Sequence, residues 1–409
     1  MIYGSDNTGM VVFKNDGAIH WLRDSEEAVT TEFHCLFNVT TLKMHSRLWI
    51  VARTSDGHLI VTRERHISND ITADVEAALG EKIEDVEDFG IDVLTVVART
   101  KRKVCIIDFE MSAYLTTFEN LGSSVFAVDQ DIDLFCFDYG HGFVRTGNGL
   151  CSIGNIACYD LENGYSRAIM ERGMQHVEFD EAASISEIVC GPGYALFLML
   201  DGRVFAQGYG HGPDEIPGSW SPIKKVQFSN GDTVSKIVIK RTFIFYVSTS
   251  GSCYYTGTQM RILGQDNDQC LRPHLLPHTR DHFVENLIIL RDYVVVQHDT
   301  DKVSLLEMGK VRHGDVQHSF PYVMYAGAAG SLYELEHTPF FDDKPIIAAV
   351  QMQHHIIFAT ESGHGYQWSC ELYQEPVIKM IPRFSSGNIA VPAPTQTIRS
   401  AQSMLDHDA

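Results

Sequence analysis

The sequence predicts an all-β fold made of a repeated meander of short strands. The clearest copy covers Ile185 to Gly208, where the apolar runs Ala195 to Leu200 and Arg203 to Ala206 flank the pair Asp201-Gly202. An Asp-Gly pair between two strand-length apolar runs favours a β-hairpin with a type I′ turn, which has positive φ at both central residues. A third apolar run, Ile185 to Cys190, precedes this hairpin. The copy therefore predicts three antiparallel strands in succession.

The hairpin pattern recurs along the whole chain. Its seven turns are marked by Gly57, Arg102, Gly142, Gly202, Gly251, Asp301 and Gly363. Self-similarity at a spacing of about 40 to 60 residues, with strands inside each period, is typical of a β-propeller, whose blades bury their faces against their neighbours. We therefore predict a single seven-bladed β-propeller over residues 1–384 and a flexible polar tail over residues 385–409.

Glycine-containing segments in three places carry a family resemblance. Gly4 and Gly9 are spaced like two glycines of the motif Gly-x-Asn-x-x-Gly-Gln-Leu-Gly. Asp6 stands at the Asn position of this motif, whereas Met10 and Val11 replace its Gln and Leu. The other two segments cover residues 204–226 and 256–277. Together they resemble the repeats of the regulator-of-chromosome-condensation family, most clearly over residues 1–11 and 185–278.

This resemblance implies both an architecture and an activity. The implied architecture is a seven-bladed β-propeller with four strands in each blade, in which the N-terminal strand near Met1 completes the last blade, the one that holds Ile346 to Trp368. Such closure would remove the free sheet edges at the two ends of the ring. The implied activity is guanine nucleotide exchange on the small GTPase Ran.

Composition restricts the class of partner. The chain has 32 basic and 53 acidic residues, for a formal charge of −21, and this charge repels nucleic acid phosphates. Its nine cysteines include no Cys-x-x-Cys pair, which predicts reduced thiols in the cytoplasm or the nucleus. No signal segment and no apolar run of membrane-spanning length is recognised. We therefore expect no direct nucleic acid and no membrane partner.

Two connecting segments leave alternatives open. The most acidic interval, Asp74 to Asp92, joins the first two copies and begins with a predicted short helix, Val75 to Leu79, capped by Asp74 before Gly80. This interval is either a solvated connection or a docking surface for a basic partner. The segment Asn148 to Glu181 lacks the repeat pattern, and its large side chains either project as an insertion or pack on an outer strand. Those side chains are Tyr159, Tyr165, Met170 and Met174.

The loop after Gly208 is the candidate binding site. It is rich in Gly and Pro, and loops on a rigid scaffold are where binding residues collect. If its aromatic and charged side chains are exposed, the loop is a partner site; if Trp220 is buried, it is only a connection. The predicted partner-binding residues are Tyr209, His211, Asp214, Glu215 and Trp220.

Residue patterns for catalysis and metal binding are incomplete. His274, His278 and His282 are four residues apart, but Pro273 and Pro277 exclude the helix that would align them. Asp129, Asp131 and Asp133 match the start of a calcium loop, yet Leu134 and Gly140 stand where Gly and Glu are required. No phosphate-binding, nucleophile-elbow or zinc-protease motif is present. No cofactor and no metal are therefore expected.

These observations lead to two functional hypotheses. The first is a non-catalytic scaffold for protein–protein interactions, either by itself or as a subunit of a larger complex. Its partner would be a small GTPase or a basic protein. The alternative is a guanine nucleotide exchange factor for a Ran-like small GTPase. The first follows from a large, rigid, acidic scaffold whose loops can bury the roughly 1,200 to 2,000 Å² that a stable partner needs. The second follows from the family resemblance alone.

Overall fold

The computed structural model describes the strands and most of their connections in the first two thirds of the chain, and mainly the strands thereafter. The described residues are 2–5, 10–15, 18–24, 29–36, 39–45, 49–63, 67–92, 95–111, 118–138, 141–147, 149–154, 174–191, 194–208, 222–240, 243–256, 273–275, 283–290, 293–298, 303–307, 332–334, 346–351, 355–360, 365–369 and 378–380.

These residues form eight four-stranded antiparallel sheets, each a meander of consecutive strands. The first four sheets consist of β1 Ile2–Ser5, β2 Met10–Asn15, β3 Ala18–Asp24 and β4 Val29–Leu36; β5 Val39–His45, β6 Trp49–Thr54, β7 Leu59–Arg63 and β8 Ile67–Asp70; β9 Asp88–Asp92, β10 Thr95–Arg99, β11 Lys103–Met111 and β12 Phe118–Ala127; and β13 Leu134–Asp138, β14 His141–Thr146, β15 Gly149–Gly154 and β16 Met174–Val177.

The last four sheets repeat the same order. They consist of β17 Ile185–Gly191, β18 Tyr194–Met199, β19 Val204–Gly208 and β20 Lys224–Lys225; β21 Val234–Lys240, β22 Phe243–Ser248, β23 Cys253–Thr256 and β24 His274–Leu275; β25 Val284–Ile289, β26 Tyr293–His298, β27 Val303–Glu307 and β28 Leu332–Glu334; and β29 Ile346–Gln351, β30 His355–Thr360, β31 Gly365–Ser369 and β32 Ile378–Met380. Between sheets, the described residues include one helix, α1 (Thr72–Leu79), and two 3₁₀ turns, Ile83–Asp85 and Ala182–Ser184.

The described residues form eight sheets, one more than the seven blades predicted. The additional sheet is the first one, β1 to β4, and β1 pairs with β2 from Ile2↔Phe13 to Ser5↔Met10. The N-terminal strand therefore belongs to its own sheet, and the predicted pairing of this strand with the last blade is wrong. The signal for the missed hairpin is Asp16-Gly17, which stands between the end of β2 and the start of β3.

All seven predicted hairpins coincide with strand pairs of the structure, one of them out of phase. The predicted turn of the third copy, Gly142, lies within β14 and pairs with Phe137 of β13. The equivalent turn between second and third strands lies instead at Gly147, which has φ +52°. The segment Asn148 to Glu181, in which the sequence shows no repeat pattern, accordingly contains β15 and β16. Met174 begins β16 and packs on the core, whereas Tyr159, Tyr165 and Met170 lie outside the described residues.

Three hairpin turns, those that end at Gly57, Gly202 and Gly251, are one residue longer than a type I′ turn. In the fifth sheet, the N–H of Gly202 donates to the carbonyl of Met199 at 3.0 Å, and the N–H of Met199 donates to the carbonyl of Arg203 at 2.8 Å. This is a three-residue loop in which only the last residue must be left-handed, and Gly202 has φ +82°. The turns that end at Gly57 and Gly251 have the same bonds.

Successive sheets pack face to face, as the blades of a propeller do. Strands β5, β9, β13, β17, β21 and β25 are the first strands of their sheets, and each contacts the next in this series. Five described apolar clusters lie between neighbouring sheets, from the pair that contains β6 and β10 to the pair that contains β22 and β26. Strand β1 also contacts β29, so the first and the last sheets are neighbours.

Helix α1 fills the space between the second and third sheets. Its Val75 and Leu79 are buried in the apolar cluster that these sheets share. The helix begins at Thr72, three residues before the predicted start, and Asp70 rather than Asp74 binds its first turn, because Asp70 Oδ1 accepts the N–H of Thr72 at 3.0 Å. Gly80 ends the helix with φ +63°, as predicted.

Candidate functional site

The structure does not describe the loop predicted to bind a partner. Residues 209–221 join β19 to β20 and lie outside the described residues, and so do His278 and His282. Tyr209, His211, Asp214, Glu215 and Trp220 therefore stay a prediction. The site that the described residues do build lies at the other end of the sheets.

This end, which we call the turn face, carries the turn after the second strand of each sheet and the connection to the next sheet. Both lie at the same end because antiparallel strands alternate in direction. The turn face is described best from the second to the sixth sheet. Its segments are residues 54–58, 71–87, 100–102, 128–133, 178–184, 199–203 and 226–233.

Most cations on the turn face are held in ion pairs with its carboxylates. Arg102 Nε lies 2.7 Å from Asp131 Oδ1, Arg99 Nη1 lies 2.8 Å from Glu87 Oε2, and Lys103 Nζ lies 3.0 Å from Glu81 Oε1. Arg145 pairs with Asp133, and Arg203 pairs with Glu181 and Asp201. These cations are engaged within the molecule. Lys82 and Lys101 are exposed and form no ion pair within the described residues, so the positive charge left on these segments is that of two lysines.

Several exposed carboxylates on this face have no such cation. In the described part of the chain, no ion pair involves Glu84, Asp85, Asp129, Glu178 or Asp180, and all five are exposed. The carboxylates of the predicted acidic interval, Asp74 to Asp92, therefore have two different roles. Glu81 and Glu87 hold cations of the fold, whereas Glu84 and Asp85 point their charge to solvent.

The ion-paired carboxyls remain charged over a wide pH range. The hydrogen bond from Arg102 lowers the pKa of Asp131, and the hydrogen bond from Arg203 lowers the pKa of Glu181. The pKa of Asp201 is lowered first by the N–H of Arg203, which lies 3.0 Å from Oδ1, and then by the Arg203 guanidinium. The face therefore keeps its negative charge at neutral pH.

A cavity of about 690 Å³ opens on the turn face between the third and fourth sheets. It lies beside the end of β12 and the turn between β14 and β15, and its lining includes Ala127, Asp129, Gln130, Thr146 and Cys151. Burial raises the pKa of the Cys151 thiol, which keeps this thiol neutral. Asp129 is thus the charged group of the cavity, which favours a cationic ligand group.

Strand β12 runs to this cavity and forms the outer edge of the third sheet. It pairs with β11 without irregularity from Gly122↔Asp108 to Ala127↔Lys103. Leu121 and Val125 are 45% and 40% exposed. The stretch Gly122 to Ala127 reads Gly-Ser-Ser-Val-Phe-Ala and contains neither charge nor proline. Such residues leave an edge strand open to pairing with another chain.

The aspartates of the apparent calcium loop have other roles. Asp131 and Asp133 hold Arg102 and Arg145, and Asp133 Oδ2 also accepts the N–H of Gly147 at 2.8 Å. Across the described residues, no three His, Cys, Asp or Glu side chains are placed to share a metal ion.

The described cysteines include buried, unreactive thiols. Cys105, Cys190 and Cys253 are buried and form no disulfide within the described residues, and burial raises the pKa of Cys105 to about 12. In the described part of the chain, no helix combines the length and the apolar character needed to cross a membrane.

Comparison with known proteins gives structural neighbours only. No family model and no curated protein sequence matches the chain. The crystal structure of human WBSCR16 is 16% identical, with 67% of this chain and 74% of that chain covered and a TM-score of 0.43. Prp20p from Saccharomyces cerevisiae is 10% identical, with 85% and 88% covered and a TM-score of 0.47. Kluyveromyces lactis Hsv2 is 8% identical, with 93% and 96% covered and a TM-score of 0.42. Another structure in this group is yeast RCC1 (Prp20) bound to Kap60, which is 12% identical, with 69% of this chain and 70% of that chain covered and a TM-score of 0.41.

Proposed function

We propose that the protein is a non-catalytic scaffold whose turn face binds a basic segment of another protein. The observation that carries this proposal is the surplus of exposed carboxylates on that face. Arginines of this face are held in internal ion pairs, whereas Glu84, Asp85 and Asp129 form no ion pair within the described residues. Opposite charge on a partner speeds association and selects against acidic competitors.

The scaffold in this proposal is one unit. The succession of packed sheets, and the contact of β1 with β29, support a ring of eight blades closed by packing between its first and last sheets. A tail over residues 385–409 and a second binding loop at Tyr209 to Trp220 remain predictions from the sequence. A rigid ring suits binding because little conformational entropy is lost when a partner docks.

Co-purification followed by reconstitution tests the proposed function. Partners captured by the full chain are identified by mass spectrometry, produced separately, and titrated against the wild type and against the triple variant E84Q/D85N/D129N. We expect a partner with a basic segment, binding that weakens as salt is added, and at least a tenfold loss in the triple variant. The control is E84D/D85E/D129E, which keeps all three charges. Equal affinity of both variants, or no partner at all, would refute the proposal.

Guanine nucleotide exchange on a Ran-like small GTPase is the alternative, favoured by the resemblance at Gly4, Asp6 and Gly9. It is distinguished by release of fluorescent GDP from Ran with and without the purified protein. The scaffold proposal expects the intrinsic release rate. A large acceleration would replace it with the exchange activity.

A further inference from the structure

The outer strand of the third sheet differs from the outer strands of the fourth to eighth sheets. The last strands of the fourth to eighth sheets are two to four residues long, whereas β12 has ten residues. Strand β20 consists of two exposed lysines, Lys224 and Lys225. Short length and lysine are the usual means by which proteins prevent an edge strand from pairing with another chain. Strand β12 lacks both over Gly122 to Ala127.

The exposed side of this edge is apolar and accessible. Val125 pairs with Cys105 and Ser123 pairs with Ile107, and both partners are buried in the cluster shared with the second sheet. Because side chains alternate along a strand, Ser123, Val125 and Ala127 share one face, and all three are exposed. An incoming strand would cover Val125 and continue the apolar cluster outward.

Carboxylates stand at both ends of the edge. At its start, Asn120 Nδ2 donates to Asp74 Oδ1 of α1 at 2.9 Å. At its end, Asp129 follows two residues after Ala127 and lines the cavity. The stretch between Gly122 and Ala127 is about 20 Å long at the usual rise of a strand. An extended segment with apolar residues in the middle and basic residues at its ends therefore matches the edge in both polarity and length.

We propose that Gly122 to Ala127 accepts an extended basic segment of a partner protein as a fifth strand of the third sheet, and that one of its basic side chains enters the cavity at Asp129. Main-chain hydrogen bonds to the free edge would hold the segment, and the exposed apolar face with the two flanking carboxylates would select its sequence. This inference rests on the proposed function, because it names the surface at which the basic partner docks.

The probe is a synthetic peptide, Lys-Arg-Thr-Val-Thr-Val-Thr-Val-Arg-Lys, titrated against the full chain. We expect saturable binding and at least tenfold slower amide hydrogen exchange within residues 122–127, with no change in β20. The double variant S123K/V125K should lose at least tenfold in affinity, and S123K alone should lose part of it. The double variant Q175K/H176K is the matched control and should bind like the wild type, because both residues are exposed on β16, the short outer strand of the fourth sheet. A peptide with Glu at its four charged positions should bind at least tenfold more weakly.

Three outcomes would overturn the inference. The first is that the peptide does not bind, the second is that it binds without slower amide exchange at residues 122–127, and the third is that it binds S123K/V125K as tightly as the wild type. A dimer of the unliganded protein that the double variant abolishes would assign the edge to a second copy instead. If the natural partner depends on Glu84, Asp85 and Asp129 but tolerates S123K/V125K, the edge assignment fails while the proposed function stands.

Discussion

At the scale of single residues, the turn glycines serve two purposes at once. Gly202 has φ +82°, and a Cβ at this position would lie 2.7 Å from Thr233 Cβ. The close approach exists because the carbonyl of Gly202 accepts the N–H of Val234, the first residue of the next sheet, at 2.7 Å. The carbonyl of Gly251 accepts the N–H of Val284 in the same way at 2.8 Å. The glycine therefore both closes the hairpin and joins one sheet to the next.

We expect Gly202→Ala to lower the free energy of unfolding by about 3 kcal/mol. Left-handed backbone costs an alanine about 1 to 2 kcal/mol, and forcing a methyl group into a filled space costs about 1 to 3 kcal/mol more. The control is Gly231→Ala, since Gly231 has φ +70° with open space around it and should lose only the backbone contribution. Urea unfolding of both variants measures the difference. Equal losses would show that the contact with Thr233 has no energetic importance.

At the scale of elements, arginines at the ends of second strands join the second to fifth sheets. Arg53 donates to the carbonyl of Ile83, Arg99 donates to that of Ile132 at 3.2 Å, and Arg145 donates to those of Ala183 and Ile185. Each carbonyl lies in the connection leading to the next sheet or at its first strand. Each of these arginines is followed by threonine, and the three Arg-Thr pairs recur at a constant spacing. The later sheets have Leu198 and Val247 in this place and use the turn glycine instead.

We expect Arg145→Met to lower the free energy of unfolding by about 2 kcal/mol, because hydrogen bonds from a charged donor contribute about 1.5 to 3 kcal/mol. The Arg145 side chain is 16% exposed, so water replaces the lost bonds poorly. The matched control is Arg102→Met. Its ion pair with Asp131 joins side chains that are 61% and 57% exposed, and such exposed pairs contribute little to stability. Similar losses in the two variants, measured by urea unfolding, would argue against the proposed joint between sheets.

At the scale of the whole molecule, ion pairs around the turn face predict acid sensitivity. The pKa values of Asp131, Glu181 and Asp201 are lowered in the folded state by hydrogen bonds from arginine. The unfolded chain therefore binds more protons than the folded chain as the pH falls through the carboxyl range. The stabilisation is complete above the unfolded pKa of about 4 and is lost as the pH falls below it.

We expect the urea midpoint to fall between about pH 5 and pH 3 and to fall less in Arg203→Met. This variant removes the cation that lowers the pKa of both Glu181 and Asp201. The comparison is needed because protonation also relieves repulsion in a chain with a net charge of −21, which acts in the opposite direction. The same pH dependence in both proteins would contradict the assigned role of Arg203.

Local sequence patterns determined the strands, the hairpins and the all-β class. Apolar runs beside Asp201-Gly202 and Ser250-Gly251 predict hairpins correctly, because a hairpin depends on residues that are close in sequence. The same rule, applied to Asp16-Gly17, predicts a hairpin between β2 and β3 and so an eighth sheet. The family resemblance at Gly4 and Gly9 instead predicts that these residues end a repeat. The interval around Glu84 was rightly identified as acidic, but its composition could not show which carboxylates hold an arginine.

Only the tertiary structure decided how the sheets meet and what they leave exposed. The edge of β12 depends on how the third sheet is bordered, and the cavity at Asp129 arises where the third sheet meets the fourth. The pairing of Arg145 with carbonyls about 40 residues further along likewise depends on packing between sheets. Strand formation is determined by the chain locally, whereas surface charge, cavities and free edges depend on which distant groups neutralise or cover one another.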